Sequence, residues 1–161
     1  MKIKSMLLLL IVIGATLAAC APAATTTPSS NTTVSEFTGA KINLNTATGD
    51  ELLATIPGFG NRMVREFKEY RPYISIQQFR QEIGKYVDDA QIAEYEKYVY
   101  VPIAINESDS ETLQQIPGLD SAEADTLISA RPYASSDAFL TKLSEFVSAA
   151  ELETAKIYLE E

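Results

Sequence analysis

Beyond residue 41, apolar residues recur three or four positions apart, the spacing of one face of an α-helix. Examples are Met63, Val64 and Phe67, and the series from Ile92 to Val99. No stretch alternates apolar and polar residues as a half-buried strand does. Helix starts are marked by pairs typical of capping boxes: Thr48 with Glu51, Ser75 with Gln78, Ser108 with Glu111, Asp120 with Glu123, and Ser148 with Glu151. The pattern predicts an all-α protein.

The helical part of the chain repeats itself, which indicates a duplicated unit. After sixty residues, Ile56-Pro57-Gly58-Phe59 returns as Ile116-Pro117-Gly118-Leu119, and Arg71-Pro72-Tyr73 returns as Arg131-Pro132-Tyr133. We therefore predict a first repeat of residues 42–103 and a second repeat of residues 104–161. Each repeat is expected to contain four short helices.

The N-terminus has the layout of a secretory signal. Two lysines precede an apolar run from Met6 to Ile13, which is shorter than the roughly 20 apolar residues of a membrane span. The segment Leu17-Ala18-Ala19-Cys20 resembles the lipobox of bacterial lipoproteins. This resemblance implies that residues 1–19 are a cleaved signal peptide and that Cys20 becomes the lipid-modified first residue. An ordinary cleaved signal with an incidental cysteine is the alternative.

Residues 20–41 connect the predicted lipid to the helices. They are rich in Thr, Ser, Pro and Ala, nearly uncharged, and contain few large apolar side chains, so they predict a disordered tether. Its root-mean-square reach is about 25 Å. We expect an exported lipoprotein on the extracytoplasmic face of the cell envelope, anchored to the membrane through Cys20.

The composition limits the possible chemistry. The chain carries a formal net charge of −9, whereas a protein that binds nucleic acid through its overall field is basic, so any such contact must be local. There is no histidine and only one cysteine, which lipidation would consume. The usual general base, thiol nucleophile and zinc ligands are therefore missing. We predict no catalytic residues, no metal and no cofactor, and hence no enzyme.

Three segments of the first repeat carry a family resemblance: Asn45-Thr46-Ala47, Ile56-Pro57-Gly58-Phe59-Gly60-Asn61-Arg62, and Tyr70-Arg71-Pro72-Tyr73. With them, the first repeat resembles the ComEA-type helix-hairpin-helix domain. In this family, paired hairpins bind duplex DNA without sequence preference, and ComEA-type members are receptors for DNA uptake in competent bacteria. The second repeat resembles the family more weakly. The resemblance implies that the duplex DNA backbone is a partner, in DNA capture or uptake.

The first hairpin is the candidate phosphate site, because backbone amides at the start of a helix attract anions. Gly58 and Gly60 can adopt positive φ angles and admit a phosphate close to the backbone. Arg62 is a cation in the first turn of a helix, where the helix dipole favours anions. Residues that break such a local rule are more frequent at functional sites. A plain interhelical turn with a solvated charged face is the alternative. The predicted phosphate-binding residues are Gly58, Gly60, Asn61, Arg62, Arg65 and Lys68.

The remaining hairpins depart from the family pattern. In the first repeat the second hairpin keeps only Gly84, and Asp88 is expected to cap the helix that follows. In the second repeat Asp120 replaces Gly60 and, together with Glu123, is expected to satisfy the helix amides and repel a phosphate. This acidic repeat supports a second hypothesis, in which the protein is an envelope scaffold that binds envelope or uptake-machinery proteins and no DNA.

Overall fold

Eight short helices and one small parallel ladder make up residues 39–159, the part of the chain that the computed structural model describes. The predicted signal peptide of residues 1–19, the lipidation of Cys20 and all but the end of the tether lie outside the described residues. The elements in chain order are β1 (Ile42–Asn43), α1 (Gly49–Thr55), α2 (Asn61–Glu69), α3 (Ile76–Ile83), α4 (Asp89–Tyr95), β2 (Val99–Tyr100), α5 (Ser110–Leu113), α6 (Ser121–Ser129), α7 (Ser136–Leu143) and α8 (Ala149–Tyr158).

This mostly helical architecture confirms the predicted fold class. Three of the predicted capping boxes are present in full, at Thr48, Asp120 and Ser148. In each, the cap side chain accepts a hydrogen bond from the third helical amide, and a glutamate from that position accepts one from the cap amide. None of the helices in residues 39–159 combines the length and apolarity that a membrane span requires.

Two predicted helix starts differ in detail from the capping box. Ser75 caps α3, but the Gln78 carboxamide accepts a hydrogen bond from the Ile74 amide at 2.9 Å. The predicted cap at Ser108 is wrong, because Asp109 caps α5 and accepts from the Thr112 amide at 2.7 Å. The buried Ser108 hydroxyl instead accepts from an upstream backbone amide. This local hydrogen bond engages the Ser108 hydroxyl, and the helix starts one residue later than predicted.

A short parallel ladder joins the start of the first repeat to its end. The Ile42 amide donates to the Tyr98 carbonyl oxygen at 2.9 Å, and β1 pairs with β2 in the register Ile42 to Val99. An isolated parallel bridge between Ile103 and Leu159 has the same form. The sequence did not predict either pairing, since two residues are too few to show alternation.

Buried side chains form two hydrophobic clusters. The first is built from the helices of the first repeat around Phe67, Phe79 and Leu52, and the second lies around Phe139 and Leu127. Tyr100 and Ile103 belong to the second cluster, although both precede residue 104. The hairpins of each repeat pack on the cluster of that repeat, so the core fixes the positions of their turns.

Polar contacts join the two repeats where α3 meets α5. The Ile76 amide donates to the buried Thr112 hydroxyl at 3.0 Å. Arg80 binds Glu96 at 2.6 Å and Glu111 at 2.8 Å, and these carboxylates, Glu96 above all, raise the pKa of the Arg80 guanidinium. One arginine therefore connects a carboxylate of its own repeat with a carboxylate of the other.

Candidate nucleic-acid interface

The turn between α1 and α2 carries the predicted phosphate site. Ile56 and Phe59 are buried beneath it, and Phe59 packs edge-on against Phe67 with ring centroids 4.8 Å apart. The Phe59 amide donates to the Ile56 carbonyl oxygen at 3.1 Å. Between them Gly58 has a φ of 69°, in the left-handed region that favours glycine. Two apolar anchors thus fix the turn, and Gly58 is required by its backbone conformation.

Gly60 has no side chain that could cap the start of α2. It is the N-cap residue of α2 with φ −117° and ψ 160°, an extended conformation open to any residue, so the positive φ allowed for in the sequence analysis is not used. Among the described residues, no side chain caps α2, and a Cβ at Gly58 or Gly60 would meet no atom within 4 Å. The amides of Asn61 and Arg62, in the first turn of α2, therefore face an open surface.

Three cations follow on the same helix. Arg62, Arg65 and Lys68 are all exposed, at every third position from the first turn of α2 to its last. Arg65 forms an ion pair at 3.1 Å with Glu66, whose side chain is almost fully buried. The anion-attracting end of α2 is therefore followed by a positively charged face, which suits the backbone of a nucleic acid.

The second hairpin of the first repeat, between α3 and α4, is already capped. Asp88 is the N-cap of α4 and accepts a hydrogen bond from the Gln91 amide at 2.9 Å, as predicted. Gly84 is in the right-handed helical region, and a Cβ there would lie 2.7 Å from the Arg80 carbonyl oxygen. Gly84 serves the close packing of the backbone, and this hairpin offers no uncapped helix start.

Two tyrosines connect α2 to the turn after α3. The hydroxyls of Tyr70 and Tyr86 are 2.8 Å apart. The hydrogen bond with Tyr70 and the one that the Tyr86 hydroxyl donates to the Glu66 carboxylate raise the pKa of Tyr86. The guanidinium carbon of Arg62 lies 6.0 Å from the Tyr86 ring centroid, and the ammonium of Lys85 lies 4.9 Å from that of Tyr70. The sequence did not predict this association, because its members belong to different elements.

The corresponding hairpin of the second repeat is filled by carboxylates of the protein itself. Asp120 and Glu123 form a full capping box at the start of α6, with two hydrogen bonds of 2.9 Å. Gly118 has a φ of 80°, and the position of a Cβ there is 2.6 Å to 2.8 Å from the carboxylate of Glu151. This hairpin has the same turn as the first, but acidic side chains occupy the place that a phosphate would take.

The contact of Glu151 with this turn was missed by the sequence analysis. Its role in capping α8 was predicted from local spacing and is observed. Its approach to Gly118 depends on the packing of α8 beside the hairpin. The only sequence signal was that the equivalent residue of the first repeat is the uncharged Gln91.

The arginine of each Arg-Pro-Tyr segment is half-buried. Arg131 donates to the backbone carbonyl oxygens of Ile105 at 2.9 Å and Ser108 at 2.6 Å. The Nε and Nη2 atoms of Arg71 are buried without a hydrogen-bond partner among the described residues, and burial lowers its pKa. Neither Arg71 nor Arg131 therefore belongs to the exposed group of cations formed by Arg62, Arg65 and Lys68.

Comparisons of the chain with family models, with curated proteins and with solved structures gave no match. Within residues 39–159, no three His, Cys, Asp or Glu side chains are grouped as a metal site would need. The arrangement that distinguishes the first repeat is a helix start without a side-chain cap, next to exposed cations. Such a surface can bind an anion.

Proposed function

We propose that this protein is a membrane-tethered, non-catalytic helix-hairpin-helix protein of the ComEA type, with two tandem four-helix repeats. In this proposal it binds duplex DNA without sequence preference and serves DNA capture or uptake. The observation that carries the proposal is the uncapped start of α2 at Gly60, which is followed by the exposed Arg62 and Arg65. Backbone amides and cations at such a helix start recognise phosphate, which is common to all DNA sequences.

The net negative charge of the chain is compatible with a DNA contact only if that contact is small and local. The carboxylates around Gly118 and the replacement of Arg65 by Asp125 at the equivalent position make the second repeat unfavourable for DNA. Duplex DNA would therefore lie on the first repeat alone. A contact of this size predicts weak affinity and strong dependence on salt.

A salt titration tests this proposal. We expect the affinity of the full-length protein for duplex DNA to fall with salt, with a log–log slope of about −3 for contacts to about three phosphates. Fluorescence anisotropy with two duplexes of unrelated sequence measures both the slope and the lack of sequence preference. The absence of binding to either duplex at low salt would contradict the proposal.

We also propose that the lipid on Cys20 holds the protein at the membrane, with export directed by residues 1–19. We expect Cys20→Ser to remain either unprocessed or free of lipid, because the acylated thiol is missing. Mass spectrometry of the purified chain and fractionation of cells measure this change. A wild-type chain without lipid, behaving as the variant does, would refute the anchor.

The second candidate function is a protein scaffold of the envelope that binds no DNA. It is favoured by the second repeat, where Asp120, Glu123 and Glu151 close the hairpin and leave an acidic surface. A protein interface does not require the salt dependence that phosphate contacts impose. The same titration therefore separates the two functions.

A further inference from the structure

We propose that Tyr70 and Tyr86 form a stacking site for unpaired bases, so that a duplex with a single-stranded overhang binds better than a blunt one. The inference rests on the proposed function, because Arg62 belongs both to the phosphate site and to the aromatic pair. It adds a preference for DNA ends and for partly single-stranded DNA, which duplex binding through the first hairpin does not supply.

The geometry of the pair places two aromatic rings at the surface beside the first hairpin. The ring centroids are 6.4 Å apart at an interplanar angle of 49°, and both tyrosines are half-buried. Each ring has a cation over it, Arg62 on Tyr86 and Lys85 on Tyr70. Because both cations are exposed residues, the ring faces that they cover are turned toward solvent.

Aromatic rings interleaved with cations are the elements of sites for single-stranded nucleic acid. Bases stack on the rings whatever their identity, since every base has a π-face, while cations contact the phosphates between them. In this protein Arg62 can leave its ring for a phosphate as a base takes its place. Lys85 can do the same by giving up its ion pair with Glu82. The hydroxyls of Tyr70 and Tyr86 are also hydrogen-bonded to each other, but stacking uses the ring faces and not these hydroxyls.

The site is continuous with the proposed phosphate site. Arg62 lies in the first turn of α2, two residues after Gly60, and contacts Tyr86 from there. A strand whose phosphate is held at the helix start therefore has its next unpaired bases close to the ring pair. Paired bases remain stacked within the duplex and cannot use it.

The second repeat lacks this arrangement and is an internal comparison. The equivalents of Tyr70 and Arg62 are Ala130 and Ala122, so one ring and one cation are missing. The remaining ring, Phe146, has Lys142 over it at 5.7 Å, and Lys142 is paired with Glu145 as Lys85 is paired with Glu82. The surface of paired rings and exposed cations is thus a property of the first repeat.

The experiment compares a blunt duplex with the same duplex carrying a short thymidine overhang, using the full-length protein and fluorescence anisotropy. We expect the overhang to tighten binding about tenfold, the gain from stacking one to two bases on aromatic rings. The double variant Tyr70→Leu with Tyr86→Leu should bind both DNAs as the wild type binds the blunt one. The matched variant Tyr70→Phe with Tyr86→Phe keeps both rings and should keep the preference, with circular dichroism as the control for folding.

Each outcome decides the inference. Equal affinity of the wild type for the two DNAs would overturn it while leaving duplex binding intact. Loss of the preference in the phenylalanine variant as well would also overturn it, since the rings are still present there. Binding of neither DNA at low salt would overturn both the inference and the proposed function.

Discussion

Gly60→Asp is expected to abolish duplex binding while the protein stays folded. The new carboxylate would lie at the start of α2, where the amides of Asn61 and Arg62 face the open surface. Like charges brought together across an interface cost several kcal/mol, so the affinity should fall by a factor on the order of 100 or more. Anisotropy titration of the variant and the wild type at the same low salt concentration measures the loss.

Stability should change in the opposite direction from binding. Asp is a good N-cap residue, and Asp120 already fills the equivalent position of the second repeat, so Gly60→Asp should raise the free energy of unfolding by a few tenths of a kcal/mol. Gly60→Asn adds a similar side chain without charge and separates repulsion from steric hindrance. Asp120→Gly is the matched control and should leave DNA affinity unchanged. Equal affinity of Gly60→Asp and wild type would eliminate the hairpin mechanism.

Phe67→Ala is expected to destabilise the protein by about 3–5 kcal/mol, the usual cost of deleting a buried aromatic ring. Phe67 is completely buried at the centre of the first cluster. Its ring packs edge-on against those of Phe59, Phe79 and Tyr95, with centroids 4.8 Å to 5.4 Å apart. The substitution therefore removes the support of both α2 and the turn above it. Urea unfolding followed by circular dichroism measures the loss.

Two further substitutions make this test specific. Phe67→Leu keeps most of the volume and should cost less than the alanine variant. Leu127→Ala removes the equivalent side chain from the second cluster, and its cost should fall in the range of 2–5 kcal/mol. A change of less than about 1 kcal/mol for Phe67→Ala would show that α2 is not held by the packing described.

The sequence by itself determined the features that depend on residues close together along the chain. The capping boxes at Thr48, Asp120 and Ser148 each join residues three positions apart, so their spacing alone predicted where α1, α6 and α8 begin. The cap at Asp88 followed from the same kind of signal. The all-α class was also predictable, because apolar spacing records which face of each helix is buried.

Only the tertiary structure decided contacts between residues that are distant along the chain. The pairing of Ile42 with Val99 joins the two ends of the first repeat, and no local sequence pattern indicates it. The approach of Glu151 to Gly118 and of Arg62 to Tyr86 likewise requires that separate elements pack side by side. Sequence periodicity reports which face of a helix is buried, whereas its neighbours are chosen by the packing of the whole core.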